Sequence, residues 1–363
     1  MTSESEFLLA TLRSPGATAP PSIDWQVLLD LAESHGVLPL FCSNFSGELP
    51  ETFVNRLHTQ WAMATFLASE LEGLLRQFCL HGIEVLSLKG PVMAEALYGK
   101  WGLRPSDDLD LLVQPQDFAR SQAVLIDLGF IPISVVDDYH QMFYRGATYV
   151  ELHFAVAPPS SPSMNLDAAW RRAQVMQLRG QRTRSFAKAD LLVYLTIHGI
   201  KHEFARLIWV LDAVRALTDL DEGDMGEALR FAHAIGIEGA LLTTCELARC
   251  SFNLELPPEA VAAIARKPVI STQAAAMWEG ILAGPADPQT LHQGAGVFVQ
   301  LEPDARSRWT QRLRLFLPSA QDNLWARNHN IDPRWMLLVR PFRLLSKYGP
   351  VTVWRTLFPR FIF

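Results

Sequence analysis

The segment Asp108-Leu109-Asp110-Leu111-Leu112-Val113 constrains this chain more than any other. In an extended strand successive side chains point to opposite faces. Asp108 and Asp110 therefore share one face, and Leu109, Leu111 and Val113 share the other. Such a strand needs an apolar layer behind it. In front it carries two crowded carboxylates, which repel each other and raise each other's pKa unless a cation sits between them.

The surrounding sequence supplies partners for both faces. Ile83 to Leu88 reads as a short apolar strand, broken by Lys89-Gly90-Pro91, and Val92 to Tyr98 as one or two helical turns. Pro115 to Leu128 is an amphipathic helix with proline in its first turn. Ile131–Val136, His140–Arg145 and Thr148–Phe154 read as further strands, with Gly146-Ala147 as the turn between the last two. Glu151 and His153 fall on one face of the last strand, and Glu151 is the natural third carboxylate. Hard carboxylate oxygens suit Mg²⁺ (or Mn²⁺), which binds through one or two carboxylates plus substrate phosphates. A strand ending in Lys-Gly before a helix places a cation and free backbone N–H groups where a triphosphate can dock. Lys89 offers the charge and Gly90 a close backbone approach. Arg104 and Ser106, just before the carboxylates, complete the candidate phosphate grip, with Arg104 able to clamp bidentately. The plainer alternative makes these acids solvated strand-end residues and His153 a packing residue.

On either side of this island the pattern is helical. Trp25, Leu28, Leu29 and Ala32 recur at helix spacing, and a long helix runs from about Glu51 to Leu80, stopped by His81-Gly82. After Pro158-Pro159-Ser160-Ser161-Pro162, almost everything from Leu166 onward has helical period. The chain divides into a helical lead-in (1–80), a small α/β core (81–160), a helical domain (161–304) and a basic, aromatic-rich C-terminal segment (305–363). In the helical domain His198 and His202 share one helix face, but no glutamate follows His198 as a protease zinc motif requires. With Lys201 and Arg206 they form an arc that could meet substrate. Asp212 reads as the anchor of a basic neighbour, and Trp209, Leu207 and Leu211 as core.

Hydrophobic residues make up 49% and charged residues 19%, so a large core can form and global disorder is excluded. The four cysteines form no C-x-x-C pair, which fits a reducing cytosol. Met1 to Phe7 has no basic n-region, and no apolar run approaches the roughly 18–20 residues of a membrane span. A cytoplasmic protein is expected. The net charge of −6 conceals a split: residues 305–363 hold eleven basic residues against Asp322 and Asp332, which leaves 21 basic and 36 acidic residues before them. That asymmetry points to an anionic partner, which is the protein's own body, a membrane surface or another protein. No nucleic-acid-binding motif accompanies it, so nucleic acid is the least favoured.

The run Leu88-Lys89-Gly90, then Arg104-Pro105-Ser106-Asp107-Asp108-Leu109-Asp110-Leu111-Leu112-Val113, then Glu151-Leu152-His153, resembles the DNA polymerase beta-like nucleotidyltransferase superfamily. Within it, the run resembles the bacterial uncharacterised nucleotidyltransferases of the NTP_transf_5 type. The match covers about 85–155 and continues weakly through His198-Gly199-Ile200-Lys201-His202 and Trp209-Val210-Leu211-Asp212. The resemblance implies an α+β fold, with a small mixed sheet, flanking helices and a mainly helical C-terminal domain. It also implies metal-dependent transfer of NMP from an NTP, ATP being the first choice, to an acceptor that the sequence does not identify. Asp108 and Asp110 fall on the family's D-x-D motif and Glu151 on its third metal-binding carboxylate, which could bridge a metal or take the acceptor's proton. The wider superfamily has Gly-Gly or Gly-Ser after the first strand, where this chain has Lys89-Gly90-Pro91. That departure keeps two alternatives open: a non-catalytic nucleotide-binding or scaffold protein, and a phosphoryl transferase.

Overall fold

The computed structural model describes residues 2–133, 136, 138–282 and 294–357. Four helices lead in: α1 (Ser3–Arg13), α2 (Trp25–Ser34), α3 (Leu38–Asn44) and α4 (Glu51–Leu80). Asp24 caps α2, its carboxylate accepting from the backbone N–H groups of Gln26 and Val27. The central sheet has seven strands: β1 (Leu86–Ser87), β2 (Leu109–Leu112), β3 (Ile131–Pro132), β4 (His140–Arg145), β5 (Thr148–His153), β6 (Gln174–Leu178) and β7 (Gln181–Ser185), in the order β3-β4-β5-β2-β1-β7-β6. The pairs β2–β5 and β1–β7 are parallel and the other neighbours antiparallel. Helices α5 (Gly90–Tyr98), α6 (Phe118–Asp127) and α7 (Leu166–Arg172) join the strands. The fold is α+β with a mixed sheet, as the sequence implies.

The sheet separates two apolar cores. Behind it, Leu109, Leu111 and Val113 join Val150 and Leu152 under the α4 stripe Leu67, Leu71, Leu74, Leu75 and Phe78, with Val124 and Leu125 of α6. Each fully buried side chain of this size is worth about 1.5–3 kcal/mol. In front lies the larger core. It unites Phe7, Leu28, Phe41 and Phe53 of the lead-in with Leu86, Leu88 and Leu112 of the sheet and with the helices that follow. Those are α8 (Lys188–Lys201), α9 (Leu207–Thr218), α10 (Glu222–Ala234), α11 (Glu238–Phe252), α12 (Pro258–Ala265), α13 (Val269–Leu282) and α14 (Gly294–Leu301). The chain ends in α15 (Ala305–Arg314), α16 (Ala320–Asn328) and α17 (Met336–Leu357), the last kinked at Gly349. Among the described residues no helix is long and apolar enough to cross a membrane.

The structure departs from the sequence expectations in three places. The region after Leu166 is not purely helical, because β6 and β7 form a hairpin that extends the sheet through β7 onto β1. Their exposed positions are rich in polar residues (Gln174, Gln177, Arg182), which hides the strand pattern. The first strand is shorter than Ile83–Leu88, since its ladder pairs only Leu86 and Ser87 with β2. Ile83 and Val85 are nonetheless buried in the rear core. The strand expected over Ile131–Val136 is an edge strand of two residues, and Ser134 and Val135 lie outside the described residues. Arg360 of the basic segment also lies outside them, as does the side chain of Arg355.

Candidate active site

Strand register places the acids. Because β2 and β5 are parallel, with Asp110 opposite Glu151 and Leu112 opposite His153, alternation brings Asp110, Glu151 and His153 to the front face. His153 Nε2 lies 3.2 Å from both Asp110 Oδ1 and Glu151 Oε2. Lys89 Nζ lies 3.0 Å from Asp110 Oδ2. Asp110 is thus held between the Lys89 ammonium and the His153 imidazole on a buried strand.

The cluster's electrostatics follow from this packing. Burial opposes the charge of Asp110, but Lys89 and His153 outweigh it and hold the carboxyl far below its usual range. For Lys89 and His153, burial disfavours the charged form, and the neighbouring carboxylates more than restore it, so both are raised. Asp108 fares differently. Burial, then the charge of Asp110, push its carboxyl up to about 7, with Lys89 only partly offsetting them. This is the crowding that the D-x-D pattern predicts.

Lys89 caps the N-terminus of α5, and Gly90 takes φ +72° there, a left-handed backbone that favours glycine. The turn thus sets Lys89, whose ammonium meets Asp110, at the N-terminus of α5.

All of these residues except Gly90 line a polar cavity of about 340 Å³, together with Arg104, Ser106, His198, Lys201 and His202. The structure therefore brings the sequence-selected residues into one place. Tyr194, Ile197, His198 and Lys201 recur along one face of α8, so the arc read from the sequence does face the cavity. Ser106 Oγ is buried without a hydrogen-bond partner. Arg104 is held differently from a free phosphate clamp: its Nε donates to both Asp212 oxygens at 3.0 Å and its Nη2 to Oδ2 at 2.9 Å. Tyr98 also donates to Asp212 at 2.8 Å. Asp212 is thus the anchor it was expected to be, and its partner is the arginine beside the D-x-D strand.

The cavity also has an aromatic wall that sequence reading missed in part. Trp209 packs against the front core, as expected, and also lines the cavity. Its ring centroid lies 5.5 Å from His198 and 5.1 Å from His202. Burial drives His198 well below the usual imidazole range and His202 to about 4, so both are neutral at physiological pH. Opposite stands Tyr139, with Lys201 Nζ 5.3 Å from its ring centroid. The arc of His198, Lys201, His202 and Arg206 is legible in the sequence, but not that Trp209 packs beside its histidines. Gly199 makes the α8 turn possible, because a Cβ there would fall 2.2 Å from the Phe204 ring.

The sequence model of the uncharacterised nucleotidyltransferases, NTP_transf_5, matches residues 21–253. The chain belongs to this family. The matched span runs from the lead-in helices through the cavity to α11, so it includes every cavity residue named above. No curated protein matches the chain. Among solved structures, the chain is similar to the crystal structure of ANT(2")-Ia in complex with adenylyl-2"-tobramycin. That likeness has 14% identity and a TM-score of 0.37, covering 47% of this chain and 98% of the other. It is also similar to an antigenic nucleotidyltransferase-like protein from Paracoccidioides brasiliensis, with 15% identity and a TM-score of 0.37, covering 58% and 92%.

Proposed function

We propose that this protein is a metal-dependent nucleotidyltransferase that moves NMP from an NTP, with ATP as the expected donor, to an acceptor bound in the same cavity. The observation that carries the reading is the register-paired Asp110 and Glu151, with Asp108 one turn of alternation away, facing Lys89 at a helix N-terminus. The donor set suits a divalent cation. Asp110, Glu151 and His153 offer ligand atoms that all lie within 4.8 Å of one another. The raised Asp108 carboxyl marks negative charge that a cation would relieve. Asp108, Asp110 and Glu151 would hold Mg²⁺ or Mn²⁺, and the imidazole of His153 favours the latter. Bound there, the cation supplies neutralisation of phosphate charge and stabilisation of the attacking and leaving oxygens.

The chain's own groups do the rest. Lys89 and the first N–H groups of α5 hold phosphate oxygens. Ser106 Oγ, buried without a partner, donates to the same group. Arg104, kept in place by Asp212, adds fixed positive potential rather than a mobile clamp. Glu151, the most accessible of the strand carboxylates paired with His153, is placed to take the acceptor's proton. His198, Lys201 and His202, on the α8 side of the same cavity, hold phosphates or the acceptor. Catalysis of this kind rests on positioning and charge, with little covalent chemistry asked of the protein.

Incubation with Mg²⁺ or Mn²⁺ and each NTP, over a range of acceptors, tests the reading by pyrophosphate release. Release that requires the cation supports it. Nucleotide binding without release across the acceptors favours a non-catalytic nucleotide-binding protein of the same fold.

A further inference from the structure

The reading above makes no use of the C-terminal helices. α17 packs on α14 and α16. Met336 and Arg340 face inward, and Arg340 Nε donates to the Leu315 carbonyl at 3.1 Å. Arg340 and Arg343 both pair with Asp322 of α16. The outward side is unusual. Trp335, Leu338, Phe342, Leu345 and Tyr348 repeat at intervals of three and four, which makes one helical stripe. The stripe is open to solvent: Leu338 is 62% and Phe342 73% exposed. A contiguous exposed apolar row of this kind marks an interaction surface.

The charge around the stripe selects the partner. Arg334, at the start of the stripe, is 89% exposed at its side chain and is paired with Asp332 at 2.7 Å. Lys347 stands at the other end, its Nζ 5.0 Å from the Tyr348 ring centroid. Asp322 and Asp332 are the only acids from residue 305 to 363, whereas the preceding chain has a large acidic excess. An extended anionic surface is attracted to this basic segment rather than to the acidic remainder of the chain. A second copy meeting the first across a two-fold axis would set this basic face against itself. Nucleic acid would use the cations and stack on aromatic rings, but it has no use for a stripe centred on Leu338 and Leu345. An apolar row of Leu and Phe, ended by Trp and Tyr and bordered by Arg and Lys, is the composition of a helix lying in a membrane interface.

We propose that the α17 stripe docks this protein on anionic lipid. The full chain is tested by flotation with vesicles of phosphatidylcholine containing phosphatidylglycerol, against vesicles of phosphatidylcholine alone. Binding is expected on the anionic vesicles, weaker by about tenfold or more on the neutral ones and at high salt. The double variant Leu338→Glu/Phe342→Glu is expected to lose binding by about tenfold or more. It keeps the wild-type thermal midpoint, because both side chains are exposed. Absence of flotation on anionic vesicles overturns the proposal, and so does undiminished flotation of the double variant. A dimer that the same substitutions dissociate also overturns it, by assigning the stripe to a second copy. Binding to RNA that outcompetes the vesicles does so as well.

Discussion

The two faces of strand β2 carry opposite loads on the same backbone. Behind it, Leu109, Leu111 and Val113 are sealed under α4 and α6, and their contribution is transfer of apolar surface from water. In front, Asp108 and Asp110 share a polar cavity with Lys89, Glu151 and His153. That face costs stability through burial of charge and gathers the groups proposed to bind phosphate and metal. A period-two alternation is thus enough to separate what holds the fold from what does the chemistry. The comparison can be broken by substitutions that move one face without the other.

The largest separation is expected between neighbours. Asp110→Asn should lower pyrophosphate release by about a thousandfold or more, since it removes the carboxylate that both Lys89 and the cation engage. It also leaves Lys89 and His153 buried without their shared carboxylate, so some stability is lost as well, but turnover per folded molecule should still fall by that factor. Leu111→Ala should do the reverse: a loss of about 2–5 kcal/mol in urea unfolding, with turnover per folded molecule near wild type. Equal loss of activity in the two variants would collapse the distinction between the faces.

Asp212→Asn comes next. It leaves the Arg104 guanidinium buried beside one fewer charge, with an expected cost of about 3–5 kcal/mol in chemical denaturation. A wild-type unfolding curve would show that Arg104 needs no anchor.

A pH measurement isolates Asp108. Its carboxyl is raised in the folded protein, to about 7, above an ordinary value of 3.8. Between these values the folded state holds a proton that the unfolded chain has released. Stability contributed by this group is therefore present below the lower value and lost as pH rises through the window. The difference in unfolding free energy between wild type and Asp108→Asn should shift across that window in the variant's favour, and saturating Mn²⁺ should reduce the shift. A difference that stays flat with pH would place Asp108 outside the crowded cluster. The smallest effect is expected at the turn: Gly90→Ala must adopt φ +72° and should cost about 1–2 kcal/mol in thermal or urea melts.

Much of this site was legible because its parts are local. The D-x-D alternation, the Lys-Gly turn and the position of Glu151 each lie within a few residues, and the strand period fixes their faces. The α4 helix was legible for the same reason, its Leu67, Leu71 and Leu75 repeating at helical spacing and Gly82 marking its end. What the sequence concealed is long-range or polar. The Arg104–Asp212 pair joins residues 108 positions apart. The β6–β7 hairpin carries Gln and Arg on its outward positions, so its hydrophobic alternation is faint. Its one local signal is Arg179-Gly180, where φ values of 49° and 85° mark a tight two-residue hairpin turn. Helical spacing placed Trp209 against the core, where it packs, but could not show that its ring also borders the cavity.

The account rests on transfer of the nucleotidyl group, and label tracing tests that most directly. With the divalent cation and an acceptor, an NTP labelled at the α-phosphate should leave its label on the acceptor and release unlabelled pyrophosphate, and Asp110→Asn should do neither. Label that reaches the acceptor only from the γ-phosphate would contradict the account and make the protein a phosphoryl transferase. Transfer from the α-phosphate that Asp110→Asn leaves intact would contradict the site.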